Sequence, residues 1–303
     1  MEKIVLLVSK TLSKEGINSV QKISEAYRSQ GLETRVVKET FFGLLRIIFL
    51  KAAVIDFHNA PKMRTLFLFR LFKKSCPKIF TIHERAEFFP GNNLIKRMQI
   101  RFRTFYAVKN CDEIIVTQKT LQVFFRNQFN FLPTYIPEGV STLPSEKIPT
   151  PFGLKKDKYL VFVNNNSSVK IQRNPKSKRI EKTCTESEMT DLLKDCLGII
   201  LTSPLSVAKA RQLILFKKPI LALATTEHKE ALGTGGIFFN NPKELKKLLP
   251  CLRLNKNQQK IRKTARQIEN LFNWEFIAEE YLKVYFRKSN SPVKIDSAFS
   301  VIN

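Results

Sequence analysis

The chain has 303 residues, 43% of them hydrophobic, which excludes a disordered or fibrous chain and gives enough apolar material for one large core or two ordinary ones. Lys and Arg number 52 against 26 Asp and Glu, a formal net charge of +26, so the surface suits polyanions: phosphorylated substrates, nucleic acid or anionic lipid headgroups. Five scattered cysteines with no C-x-x-C pair, and only three histidines, argue against a disulfide framework or zinc site and for a reduced cytoplasmic protein.

The opening MEKIVLLVSK is too short in apolar residues for a signal-peptide core, and the window FFGLLRIIFLKAAVI is interrupted by Arg46 and Lys51. No transmembrane segment is expected. From IVLLVS onward, strand-like and helix-like segments alternate: a helix near 16–30, TRVVK, a helix near 41–51, AVIDFH, a helix near 62–74 and KIFTIH. A basic helix near 93–109, EIIVT, a helix near 118–128 and TYIP complete the first half. Short β-branched runs spaced by helices predict a parallel sheet with crossovers, hence a doubly wound α/β domain.

The stretch STLPSEKIPTPFGLKKD carries three prolines and no apolar period, and it reads as a linker. A second, smaller α/β set follows: YLVFVN, the polar stretch NNSSVKIQRNPKSKRIEKT, a helix over TESEMTDLLKDC, GIILTS, a helix from Pro204, PILALA and GIFF. From Asn255 to about Lys288 the pattern is helical, with Phe276, Ile277, Tyr281, Leu282 and Tyr285 on one stripe, and the tail beyond is expected to fray. The bounds drawn are 1–143 for the first domain, 144–157 for the linker, 158–272 for the second domain, 273–288 for a crossing helix and 289–303 for a flexible tail.

Four segments in order, TIHE (81–84), CDEIIVTQKTLQVFF through YIPEGV (111–140), KKPILALATTEHKEALGTGGIFFNNPKEL (217–245) and FNWEFIAEEYLKVY (272–285), resemble the GT-B glycosyltransferases, in particular the retaining family numbered four. The resemblance implies two Rossmann-like domains facing a cleft, the first for the acceptor and the second for the donor nucleotide, with the C-terminal helices packing back toward the first domain. Between YLVFVN and TESEMTDLLKD the family inserts a helix and further strands, where only about two dozen residues stand here, so the donor domain is reduced.

By the same resemblance, His83 is the candidate catalytic histidine near the donor sugar, and its place at a strand's C-terminal end agrees with where α/β sheets hold ligands. His58 ends another strand and Glu138 replaces the asparagine of "I-P-N-G-V"; both are candidates for lining the cleft, and His228 is a weaker one. Ser203 with Pro204 reads as the start of a helix aimed at the diphosphate. The family's phosphate loop places Asn165 at the arginine position and Lys170 at the lysine position, with Lys176, Lys178 and Arg179 nearby. Glu230 matches the glutamate after the "K-P" strand. The two family glutamates of the donor helix fall on Pro204 and Gln212, so both acids are absent, and Gln212 retains only hydrogen bonding toward a ribose or sugar.

The basic helix sets Leu94, Ile95, Met98, Phe102 and Phe105 near one face with Lys96, Arg97, Arg101 and Arg103 around them, a pattern that fits either an anionic membrane interface or a core helix with a cationic outer face. The expected function is transfer of a sugar from a nucleotide-activated donor to a glycan or lipid-linked acceptor in surface polysaccharide or glycolipid synthesis, at the inner membrane face, without a metal. The alternative is an inactive relative that serves as partner subunit of an active transferase or binds a polyanion or membrane. Nucleic acid is the weakest partner, because the phenylalanines sit in apolar runs rather than interleaved with cations.

Overall fold

The computed structural model describes residues 3–288 apart from 10–11, 13, 51, 60–62, 73–75, 84–93, 142–153, 165–167, 173–179 and 184–185. The chain divides into two units: Met1–Glu138 with Trp274–Asn303, and Gly139–Asn273.

In the first unit six parallel strands form one sheet: β1 (Lys3–Val8), β2 (Glu33–Lys38), β3 (Val54–His58), β4 (Lys78–Ile82), β5 (Glu113–Val116) and β6 (Thr134–Tyr135), in the order β2-β1-β3-β4-β5-β6. Strands β1, β3, β4 and most of β5 are buried on both sides, as strands covered by helices on both faces are. The period of two sorts their side chains. Val5, Leu7, Ile55, Phe57, Phe80 and Ile82 face one layer, where they pack on Leu44 and Ile47 of α2 (Phe41–Phe49), Phe69 of α3 (Met63–Phe72), Ala107 of α4 (Leu94–Asn110) and Phe125 of α5 (Lys119–Phe129). Ile4, Leu6, Val54, Ile79 and Ile115 face the other layer, made by α1 (Lys14–Ser29) and the C-terminal α11 (Trp274–Lys288). From α11, Ile277, Tyr281, Leu282 and Tyr285 are buried there, as the helical stripe requires, while Phe276 turns outward.

The second unit also has six strands: β7 (Leu160–Val163), β8 (Ser168–Gln172), β9 (Ile180–Thr183), β10 (Gly198–Leu201), β11 (Ile220–Leu223) and β12 (Gly236–Phe239), ordered β12-β11-β10-β7-β8-β9. The four from β12 to β7 run parallel, and β8 and β9 return antiparallel. Within the polar stretch after YLVFVN, Ser168–Gln172 and Ile180–Thr183 are thus strands, and in S-V-K-I-Q the alternation buries Val169 and Ile171. Helices α6 (Glu186–Asp195), α7 (Val207–Ile214), α8 (Thr226–Leu232) and α10 (Asn255–Leu271) border one core, and α9 (Pro242–Leu248) borders a smaller core on the opposite face of the sheet. Among the described residues no helix is long and apolar enough to cross a membrane.

Candidate functional site

The polar residues of the first unit converge on the C-terminal ends of β3 and β4. The parallel register sets His58 beside Thr81, and the period of two puts Asp56, His58, Thr81 and His83 on the layer shared with α1 and α11. There His58 and His83 join Glu138 in one hydrogen-bonded chain, with Asp56 just beyond its buried end. His83 Nδ1 lies 2.7 Å from Glu138 Oε1, His83 Nε2 lies 2.7 Å from His58 Nδ1, and His58 Nε2 lies 3.4 Å from Asp56 Oδ2. Thr81 Oγ1 donates to both Asp56 oxygens, at 2.8 and 3.0 Å, and the Tyr285 hydroxyl from α11 donates to Oδ2. The His83 carbonyl accepts from Thr117 Oγ1 at 2.9 Å and Gln118 Nε2 at 3.2 Å, so backbone and side chain are both fixed.

Burial sets the protonation of this chain. Asp56 is fully enclosed, and desolvation raises its pKa to about 6 against the pull of the Tyr285 and Thr81 hydrogen bonds. Desolvation, then the neighbouring His83, holds His58 well below the usual histidine range. Burial likewise pushes the Tyr285 phenol well up, reinforced by the Asp56 charge. With His58 neutral, one of the pair His58 Nδ1 and His83 Nε2 donates to the other as the tautomers dictate, and His83 Nδ1 donates to the Glu138 carboxylate. The ends differ in access, since the Glu138 side chain is 13% exposed and that of His58 only 1%. Glu138 is thus the carboxylate through which the buried histidines reach the surface of this unit.

The sequence-derived candidates of the second unit scatter over several elements. Asn165 lies outside the described residues. Lys170 stands on β8, paired in register with Phe162 of β7 and Glu181 of β9. The expected phosphate loop between a strand and a helix is replaced by a β-hairpin. Ser203 does not cap a helix: α7 starts later, at Val207, and its N-cap is Ser206, whose side chain accepts from the Lys209 amide at 3.3 Å. Pro204 is accordingly outside the helix. Glu230 is half-buried on α8. His228 on the same helix is a structural residue, fully buried, accepting from the Leu205 amide at Nε2 and donating to the Leu223 carbonyl from Nδ1. Its pKa is lowered by that burial.

Gln212 has a partner that the sequence did not disclose. Its Nε2 donates to the Ser141 carbonyl at 2.8 Å and its Oε1 accepts from the Ser141 amide at 3.1 Å. A carboxamide offers a donor and an acceptor on separate atoms, where a glutamate at neutral pH offers acceptors alone. Beside it, the buried Arg211 guanidinium lies 4.1 Å over the Phe272 ring, and the Val140 amide donates to the Phe272 carbonyl at 2.7 Å. These contacts occupy the helix face where the resemblance puts the family's second acid.

On α4 the side chains of Lys96, Arg97 and Arg101 lie outside the described residues, and Arg103 is half-buried. Phe102 and Phe105 point outward while Thr104 and Ala107 are buried, so at least this end of the apolar stripe is not core. Among the described residues no group of three or more His, Cys, Asp or Glu side chains is arranged to hold a metal ion. Asp56 and Tyr285 were missed by sequence reasoning; the available signal was the lone acid inside the apolar strand of AVIDFH.

Neither a protein-family model nor a curated protein matches the sequence. Solved structures do match its fold. A glycosyltransferase from Rickettsia africae ESF-5 is similar with a TM-score of 0.68 and 11% identity, the match covering 96% of this chain and 99% of that one. A putative UDP-N-acetylglucosamine 2-epimerase from Listeria monocytogenes gives 0.58 at 12% identity, over 95% and 98% of the two chains. MnaA of S. aureus, in a co-structure with UDP, gives 0.55 at 12% identity, over 96% and 98%. At these identities the likeness establishes a fold: mixed α/β, Rossmann-like in both units, of the GT-B class.

Proposed function

We propose that the chain binds a nucleotide-activated sugar and transfers its sugar to a hydroxyl of a glycan or lipid-linked glycan, with retention as the family resemblance implies: the bond from the anomeric carbon to the acceptor oxygen forms as its bond to the phosphate breaks, and the nucleoside diphosphate leaves. The observation that carries this reading is the Glu138–His83–His58 chain at the carboxyl ends of two parallel strands, where ligands of α/β sheets bind. A carboxylate backed by a histidine suits proton removal from an acceptor hydroxyl as the new glycosidic bond forms. Glu138 meets the hydroxyl; His83 fixes the carboxylate and stabilises its charge; His58 holds the His83 ring. The family-level fold supports a nucleotide-sugar donor, and the basic surface favours its diphosphate.

The alternative, a non-catalytic relative, is favoured by the second unit: the Gln212 amide is engaged by Ser141, and a hairpin stands where the phosphate loop is expected. One experiment separates the two. A panel of UDP- and GDP-sugars is tested for binding by ligand-observed NMR and for transfer or hydrolysis, using the wild type and Glu138→Gln. Saturable binding retained in Glu138→Gln, with turnover lowered about a hundredfold or more, supports catalysis. A folded wild type that binds no donor in the panel overturns it.

A further inference from the structure

Three helices of the first unit share an outer face that no core covers among the described residues. Helices α2, α3 and α4 pack side by side on one layer of the sheet, α2 against α3 and α3 against α4, and send Leu44, Ile47, Phe69 and Ala107 inward. Their opposite sides carry Phe42, Phe49, Phe67, Leu71, Phe102 and Phe105, all exposed, with Phe42 and Phe49 at 81% and 84%. The spacings are helical: 42, 45 and 49 on α2, 67 and 71 on α3, 102 and 105 on α4. Scattered apolar residues need no explanation, but outward stripes on three neighbouring helices make one apolar surface.

The charge around it is one-sided. FFGLLRIIF, MRTLFLFRLF and LIKRMQIRFRTFYAVKN carry one, two and five Lys or Arg in turn and no Asp or Glu. Arg46 is exposed beside the Phe42 and Phe49 stripe, and Lys109 Nζ sits 4.4 Å from the Phe105 ring centroid. An occupant must therefore accept bulky apolar side chains and supply negative charge beside them, to Arg46 and Lys109. A second copy of this face would bring cations against cations. A bilayer with anionic headgroups meets both demands, since phenyl rings enter the acyl boundary while Lys and Arg stay at phosphate level.

We propose that the α2–α3–α4 face docks on the surface of an anionic lipid bilayer, lying in the interface without crossing it. The proposal stands whether or not the chain transfers sugars, because it uses none of the residues assigned to that reaction. Sedimentation of the full-length protein with phosphatidylcholine vesicles, with and without phosphatidylglycerol, tests it. Binding is expected only with the anionic lipid. Phe42→Ser with Phe49→Ser should weaken it about tenfold or more, the order expected when two partly inserted rings are lost. Removing two exposed cations elsewhere, Arg262→Gln with Arg266→Gln on α10, should change it little.

Circular dichroism checks that the serine variant folds. Quenching by brominated lipid gives a second readout, expected to be greater for Phe49→Trp than for the parent. No binding to anionic vesicles overturns the proposal. So does binding that ignores the phenylalanines and falls equally with the α10 cations, which is mere polybasic adhesion. A dimer by light scattering that Phe42→Ser with Phe49→Ser dissociates, without vesicle binding, assigns the face to a second copy instead.

Discussion

Replacing Gln212 by glutamate restores the acid that the family resemblance places on α7, and the geometry at Ser141 resists it. In the wild type the amide donates at 2.8 Å to the Ser141 carbonyl and accepts at 3.1 Å from its N–H. A carboxylate keeps the second bond and loses the first, setting oxygen against oxygen. The stranded carbonyl costs about 1–3 kcal/mol, and a stronger, charge-assisted bond from the Ser141 N–H returns about 1 kcal/mol. A net loss of up to about 2 kcal/mol, centred near 1 kcal/mol, is expected at pH 7. Below about pH 4 the introduced acid is protonated and its O–H can donate, so the deficit should shrink. Urea unfolding of both proteins at pH 7 and in acid measures the difference, and amide exchange at Val140, which donates to the Phe272 carbonyl, localises it. A Gln212→Glu protein as stable as the wild type at pH 7, with Val140 equally protected, would refute the argument.

Asp56 carries a pH signature of opposite sign to an ordinary carboxylate. Because burial raises it from 3.8 to about 6, the folded chain keeps a proton that the unfolded chain has released, so its contribution to stability falls as pH rises through this interval. The fall is at most about 3 kcal/mol, and the stability difference between wild type and Asp56→Asn should shrink over the same range in denaturant titrations. The neutral, buried His58 acts in the other direction, losing stability as pH falls below its unfolded value near 6.5. Tyr285→Phe removes the hydroxyl that donates to Asp56 and should cost about 1–3 kcal/mol, read as a lower urea midpoint with an unchanged slope. Under the proposed mechanism, His83→Ala should lower turnover and alter its pH profile while leaving donor affinity within about threefold, and equal losses in both would argue for a purely structural histidine.

Much of the first unit was legible because its strands and helices are long, apolar and strictly periodic. The polar run after YLVFVN was not, since five residues of S-V-K-I-Q give only two inward positions, Val169 and Ile171, and lysines around them mask the alternation. The start of α7 was misplaced for a similar reason: Ser203-Pro204 and Ser206 are both chemically acceptable openings, and only the backbone decides that Ser206 reaches the Lys209 amide.

At the candidate site, strand-end position singled out His58 and supported His83, which the family resemblance named along with Glu138, but neither signal joined the three. Joining needs register: His58 opposite Thr81 places His83 one pleat further along the neighbouring strand, and no local pattern encodes which strands are neighbours. The same missing information hid Tyr285, 229 residues from its partner Asp56 in sequence. It also gave Gln212 the wrong meaning. Read alone, the amide is a glutamate that lost its charge. Beside Ser141, 71 residues away, its neutrality is the property the position requires, because a carboxylate there has no proton to give. The absent acid on α7 is thus explained by a contact and does not by itself mark the loss of chemistry, which turns instead on whether Glu138 meets a substrate.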